Sequence, residues 1–171
     1  PEDLAKVLHT VKELAAADGW TDVFEFLLAR SLQSLIWESQ NPHRARVAGN
    51  RKLSSVQDDV VTVLNILAAH GHANVESAQA ALDFGLDTLS QPAVPVDLDS
   101  SAWPQKLDRA LGRLDQLKAG EKGRLVAAMA GVVMHDGKMV AEELELLRAV
   151  CDNLHVPLPL LTDSRRISQR S

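Results

Sequence analysis

Two acidic corners carry the residues that could do chemistry. Asp18-Gly19 and Asp136-Gly137 are each followed by a glutamate seven residues after the aspartate (Glu25, Glu143) and by an arginine twelve after it (Arg30, Arg148). With Asp22 in the first set and Glu142 in the second, each corner offers three carboxylates: Asp18, Asp22 and Glu25, then Asp136, Glu142 and Glu143. Carboxylate oxygens gathered at a helix corner are the ligands of a hard divalent cation such as calcium. These six residues are therefore the candidate metal ligands. The spacing fits that chemistry loosely, because a calcium loop supplies oxygens at alternate positions. No carboxylate or amide side chain lies between Asp136 and Glu142, and Lys138 and Val140 stand where the first set has Trp20 and Asp22. A structural role competes: Asp and Gly make the turn, and the glutamate sits near the positive end of the following helix. Asp22 and Glu25 would then form a capping box, which the second corner lacks.

The remaining reactive residues form no catalytic constellation. His9, His43, His70, His72, His135 and His155 are spread along the chain. His70-Gly71-His72 resembles half of a zinc site, but the sequence places no third or fourth ligand beside it. Histidines at helix ends more simply oppose the negative end of the helix dipole. The chain contains no HExxH, GxSxG, P-loop or glycine-rich dinucleotide turn. The single cysteine, Cys151, excludes an internal disulfide and reads as a small buried hydrophobe. Asp108 and Asp115 lie seven apart on one helix and read as solvated charges. A net charge of −5 with scattered Lys and Arg, and only 4% aromatic residues, argues against nucleic acid as a partner. The longest apolar run, Leu125 to Met134, is ten residues, too short to span a bilayer. A chain that begins with Pro reads as a fragment of a longer protein.

The elements that position these residues are helical throughout, and the expected fold class is all-α with about seven helices. Apolar periodicity predicts helices over about 2–17, 22–40, 55–70, 75–89, 102–118, 121–135 and 140–154. Gly19 would end the first and Asn74 would cap the fourth. The stripe of the second is wide (Val23, Phe24, Leu27, Leu28, Leu32, Leu35, Ile36), which predicts burial on more than one side. Trp20, Trp37 and Trp103 are expected as large packing anchors, and Leu28 and Leu146 as buried leucines. The two corners belong to a repeat. Val7/Leu125, Leu8/Val126, Val11/Met129, Leu14/Val132 and Ala15/Val133 match upstream, and Phe26/Leu144, Leu28/Leu146, Leu32/Val150 and Ile36/Leu154 downstream, all 118 residues apart without a gap. Two copies of a helix hairpin sharing the middle helices follow. Residues 1–90 would hold the first copy and the following helices, 91–101 an extended exposed linker, 102–161 the second copy, and 162–171 a disordered tail. Residues 43–52 read as a basic surface loop.

The stretches from Leu14 to Arg30 and from Ala130 to Cys151 look like the tellurite-resistance TerB-like helical module, in which an Ala-Asp-Gly corner and a later Glu join two helices. The whole arrangement is similar to the carboxy-terminal region of bacterial membrane-bound zinc metallopeptidases related to the CAAX-prenyl endopeptidases. It shares the Asp-Gly-x-x-Asp-x-Phe-Glu segment, the basic loop, Glu142-Glu-Leu-Glu-Leu-Leu-Arg-Ala and the ending Val156-Pro-Leu-Pro-Leu-Leu. This resemblance implies a non-catalytic accessory or regulatory domain of an inner-membrane protease, on the cytoplasmic side. Its partner would be another protein or the protease domain itself, met through a groove between the repeats or the basic loop. Zinc would belong to the protease domain, and a weak divalent cation is all that this chain would hold. A metal-sensing domain using the acidic corners is the alternative.

Overall fold

The computed structural model describes residues 19–43, 48–99, 101–137 and 141–158, with the side chains of 19–22 and 142 outside the description. Among these residues the fold is all-α and without strands. Six helices follow one another: α1 (Gly19–Gln40), α2 (Gln57–Gly71), α3 (Val75–Thr88), α4 (Trp103–Leu114), α5 (Ala119–Val133) and α6 (Ala141–Leu154). The expected helix over 2–17 and the expected tail from 162 lie outside the described residues.

The layout follows from α2. Its stripe of Val60, Val63, Leu64 and Leu67, joined by Ile66 and Ala68, is buried over most of its circumference. It packs against α1, α3, α4 and α5, so four helices surround one apolar rod. Leu107, Leu111, Leu114 and Trp103 press on it from α4, and Leu82 and Leu86 belong to the same cluster from α3. The helices α5 and α6 form the late hairpin, and α6 lies along α1. A single apolar cluster runs from Val23 to Leu154.

Local signals explain most boundaries. Asn74 caps α3, its side-chain oxygen accepting the Ser77 amide at 2.9 Å. Pro104 sits in the first turn of α4, where its missing amide has no cost. Gly137, at φ 75°, makes the turn between α5 and α6. A 3-10 turn at Leu53–Ser55 precedes α2, which therefore starts at Gln57 and not at residue 55. Gly85 lets α3 approach α5, since a Cβ there would stand 2.5 Å from Val132 Cγ2.

Several expectations are corrected. Gly19 is already the first residue of α1, so Asp22 lies within the first turn of the helix and not at its cap position. The corner at Gly19 and that at Gly137 thus differ in backbone. Leu28 is 42% exposed whereas its counterpart Leu146 is 1% exposed. Leu32, Leu35, Trp37 and Phe84 are also exposed. The segment 91–99 is extended, but it is not a free tether. Gln79 donates to the Val94 carbonyl and accepts from the Val96 amide, at 2.9 and 2.7 Å. Asn65 does the same for Asp97, at 2.9 and 2.8 Å. Val94 and Val96 pack on the core.

Leu146→Ala should lower unfolding free energy by ~2–5 kcal/mol in a denaturant titration, because it removes a fully buried leucine and leaves a cavity. Cys151 is buried, and burial, aided by the nearby Asp152 charge, pushes its thiol up to about 11. The native protein should therefore resist thiol reagents at neutral pH and react stoichiometrically only once unfolded, as a colorimetric thiol assay with and without denaturant would show.

Candidate functional site: the groove between α1 and α6

The acidic corners are not where the structure converges. Asp18 lies outside the described residues, and Asp22 and Glu142 are placed by backbone alone, on the first turns of α1 and α6. Glu25 is half-buried on α1, Asp136 is exposed in the turn before Gly137, and Glu143 is half-buried on α6. Among the described residues no three His, Cys, Asp or Glu side chains gather as ligands of one metal ion. The tempting histidine pair is divided. His70 Nδ1 donates to the Ile66 carbonyl at 2.9 Å and its ring meets Trp103 edge-on, while His72 Nε2 donates to the Val132 carbonyl at 3.0 Å. Each ring is committed to a different neighbour.

What the fold does build is a groove between α1 and α6. Where they meet, Asn153 is buried and fully bonded: its amide donates to the Leu27 carbonyl at 3.0 Å, Ser31 Oγ at 3.0 Å and the Ala149 carbonyl at 2.8 Å. Its oxygen accepts from Arg30 Nη1 at 3.0 Å, and Arg30 Nε donates to Asp108 on α4 at 2.9 Å. A buried amide with every hydrogen bond satisfied fixes the register of two helices, because any shift would strand a polar group. Beside this clasp lies a groove of about 420 Å³, lined by Ser31, Ser34, Leu35, Glu38, Asp152, Asn153, His155 and Val156.

A charged cluster closes its far wall. Lys122 of α5 is buried and donates to Asp115 Oδ1 at 2.8 Å and to the Leu154 carbonyl at 2.7 Å. The second bond ties a cation to an end carbonyl of α6, where the dipole favours it. His155 Nδ1 donates to the same Asp115 oxygen at 3.0 Å, and its Nε2 faces Glu38 Oε1 at 3.9 Å. Burial alone would raise the Asp115 carboxyl. Hydrogen bonds from Lys122 and His155, with their charge, outweigh burial and hold it below the ordinary carboxylate range. Asp115 is therefore a half-buried ionic hub, not the solvated charge its place on the helix suggested.

The basic loop is pinned at its late end. Arg51 donates to the Gln116 carbonyl at 2.9 Å and accepts from the Lys118 amide at 3.0 Å. Arg51 and Lys52 remain exposed, and 44–47 lie outside the described residues. No helix among the described residues is long and apolar enough to cross a membrane.

Comparison with known proteins returns no matching family model, no similar curated protein and no similar solved structure.

Sequence reasoning found the helices on either side of the groove and missed its polar floor. Asn153 falls on the apolar register of α6, at the position matching Leu35 of α1. A lone amide on a core stripe was the available signal. Asn153→Ala should destabilise the fold by ~1–3 kcal/mol, since it strips Arg30, Ser31 and two carbonyls of a buried partner; chemical denaturation would measure it. Asp115 has its pKa lowered on folding, from an ordinary value of 3.8. Its contribution to stability is thus complete above about pH 4 and is lost as pH falls through the lower folded value. Asp115→Asn should flatten the acid limb of a stability-against-pH profile and leave its shape near neutrality unchanged.

Proposed function

We propose that this chain is a non-catalytic interaction module that receives a protein segment in the α1–α6 groove. The observation that carries this reading is the groove itself: a cleft with a rigid, fully bonded floor and an apolar lip of Leu35 and Val156. Its rim is acidic, with Glu38 and Asp152 both exposed. An apolar side chain flanked by basic residues matches that surface in shape and sign. The lining supplies structural roles for its polar groups, since Asn153 and His155 are both spent on holding helices together.

The resemblance to membrane-bound zinc metallopeptidases supports a specific setting for this role. In that setting the module is an accessory domain on the cytoplasmic side of an inner-membrane protease, and the occupant of the groove belongs to the protease domain or a protein it recruits. An HExxH together with membrane-spanning stretches elsewhere in the same coding sequence is the expected finding. A coding sequence without them overturns the setting but not the groove.

Calorimetric titration of the 171-residue chain with that protease domain, at low and moderate salt, tests the interaction. Binding is expected to fall at least ~10-fold with Leu35→Asp or Glu38→Lys, the loss of more than about 1.4 kcal/mol. Both positions are exposed, so circular dichroism and thermal midpoint should stay close to the parent chain. No heat at either salt concentration, or binding indifferent to both variants, would sink the assignment.

A further inference from the structure

Helices α2 and α5 end at the same place, and a histidine stands at each end. Helix α2 stops at Gly71 with His72 as its C-cap residue, and α5 stops at Val133, just before Met134 and His135. His72 Nε2 donates to the Val132 carbonyl at 3.0 Å, so the end of α2 rests on the end of α5. The last carbonyls of a helix have no partner within it and carry its negative pole. Two such poles meet here, and the last turns of α2 and α5 contain no Lys or Arg. Asp136, exposed and next in the chain to His135, adds charge of the same sign. The junction favours a cation.

The imidazoles decide which cation. A carbonyl oxygen only accepts, so in the neutral ring the bond to Val132 fixes the proton on Nε2 of His72 and leaves the lone pair on Nδ1. A ring N–H given to a backbone carbonyl is the arrangement that orients histidine ligands in metal sites. The ring centre of His135 lies 6.3 Å from that of His72, with the planes 81° apart. Two imidazoles that each hold one ion at about 2.0–2.1 Å have centres roughly 5–6 Å apart, a distance the exposed His135 reaches by turning about its side-chain bonds. Among the described residues His135 makes ring contacts only, with His72 and with Phe84 at 5.7 Å. Gly131 seats the exposed Phe84 ring, since a Cβ there would stand 2.4 Å from Phe84 Cε1, and that ring forms an apolar wall beside His135. We propose that His72 and His135 together bind a late first-row divalent ion, zinc or copper, with water completing its shell. Imidazole nitrogen suits these ions and suits calcium or magnesium poorly, so the site is chemically separate from the carboxylate corners. The ion cross-links the end of α2 to the turn between α5 and α6, and with two protein ligands it is held less tightly than in a closed four-ligand zinc site. Capping of α5 alone accounts for His72 but gives His135 no role.

Calorimetric titration of the full chain with zinc and with copper(II) salts tests the site, read beside the thermal midpoint. The parent chain should bind zinc in the micromolar range, bind copper more tightly, and melt at a higher temperature in the presence of either. His135→Ala and His72→Gln should each weaken binding at least ~10-fold and remove the rise in midpoint. Neither variant need unfold the chain: His135 is exposed, and glutamine at 72 keeps an amide N–H for the Val132 carbonyl. The metal-free midpoint of His135→Ala should therefore match the parent's. His43→Ala, at an exposed histidine elsewhere, should change neither readout. No binding by the parent chain overturns the proposal, and so does binding that both variants leave unchanged. Loss of binding in His72→Gln with His135→Ala at the parent's affinity also overturns it, since the ion would then not be shared.

Discussion

Burial of α2 is the constraint on which the molecule rests. A helix apolar over most of its surface cannot face water on any side, so neighbours must be found for the whole cylinder. Among the described residues, four of the other five helices supply them. The order of helices in the chain then leaves little choice. Helices α3 and α4 flank α2 with the 91–99 segment strapped between them, and α5 closes the cylinder. Helix α6 is the one helix that does not lie on α2 to any comparable extent. It is held by α5 on one side and α1 on the other, and the groove opens along that second seam.

Holding a peripheral helix takes a different kind of interaction from filling a core. Apolar contact is strong but tolerates sliding, because one leucine fits a gap much like another. The seam between α1 and α6 is keyed by directional bonds. Asn153 reads two carbonyls and a hydroxyl, Arg30 links it to Asp108, and Lys122, Asp115 and His155 fasten the last turn of α6. A cleft with fixed walls is the by-product, and fixed walls are what let a surface discriminate between ligands.

How much was legible in the sequence depended on the range of the interaction. The helices expected over 55–70 and 102–118 were legible because Val60, Val63, Leu64 and Leu67, and Trp103, Leu107, Leu111 and Leu114, repeat at helical spacing, and all are buried. The Asn74 cap was legible because capping is local. Leu28 was misjudged since periodicity shows which residues share a face but not whether a neighbour lies there. Asp115 was misjudged because Lys122 and His155 reach it from other elements, a placement that one helix's pattern cannot encode. The acidic corners looked alike in sequence, yet the chain turns at Gly137 and is already helical at Gly19.

The strap over 91–99 carries a consequence for the integrity of the chain. Two side-chain amides, Gln79 and Asn65, hold it in the way a neighbouring β-strand would, each matching one donor and one acceptor of the backbone. Continuity of the polypeptide is thus a small part of what keeps its two halves together. A protease that severed the strap would leave a nicked molecule still assembled, its halves joined by the shared interior and separable only by denaturation.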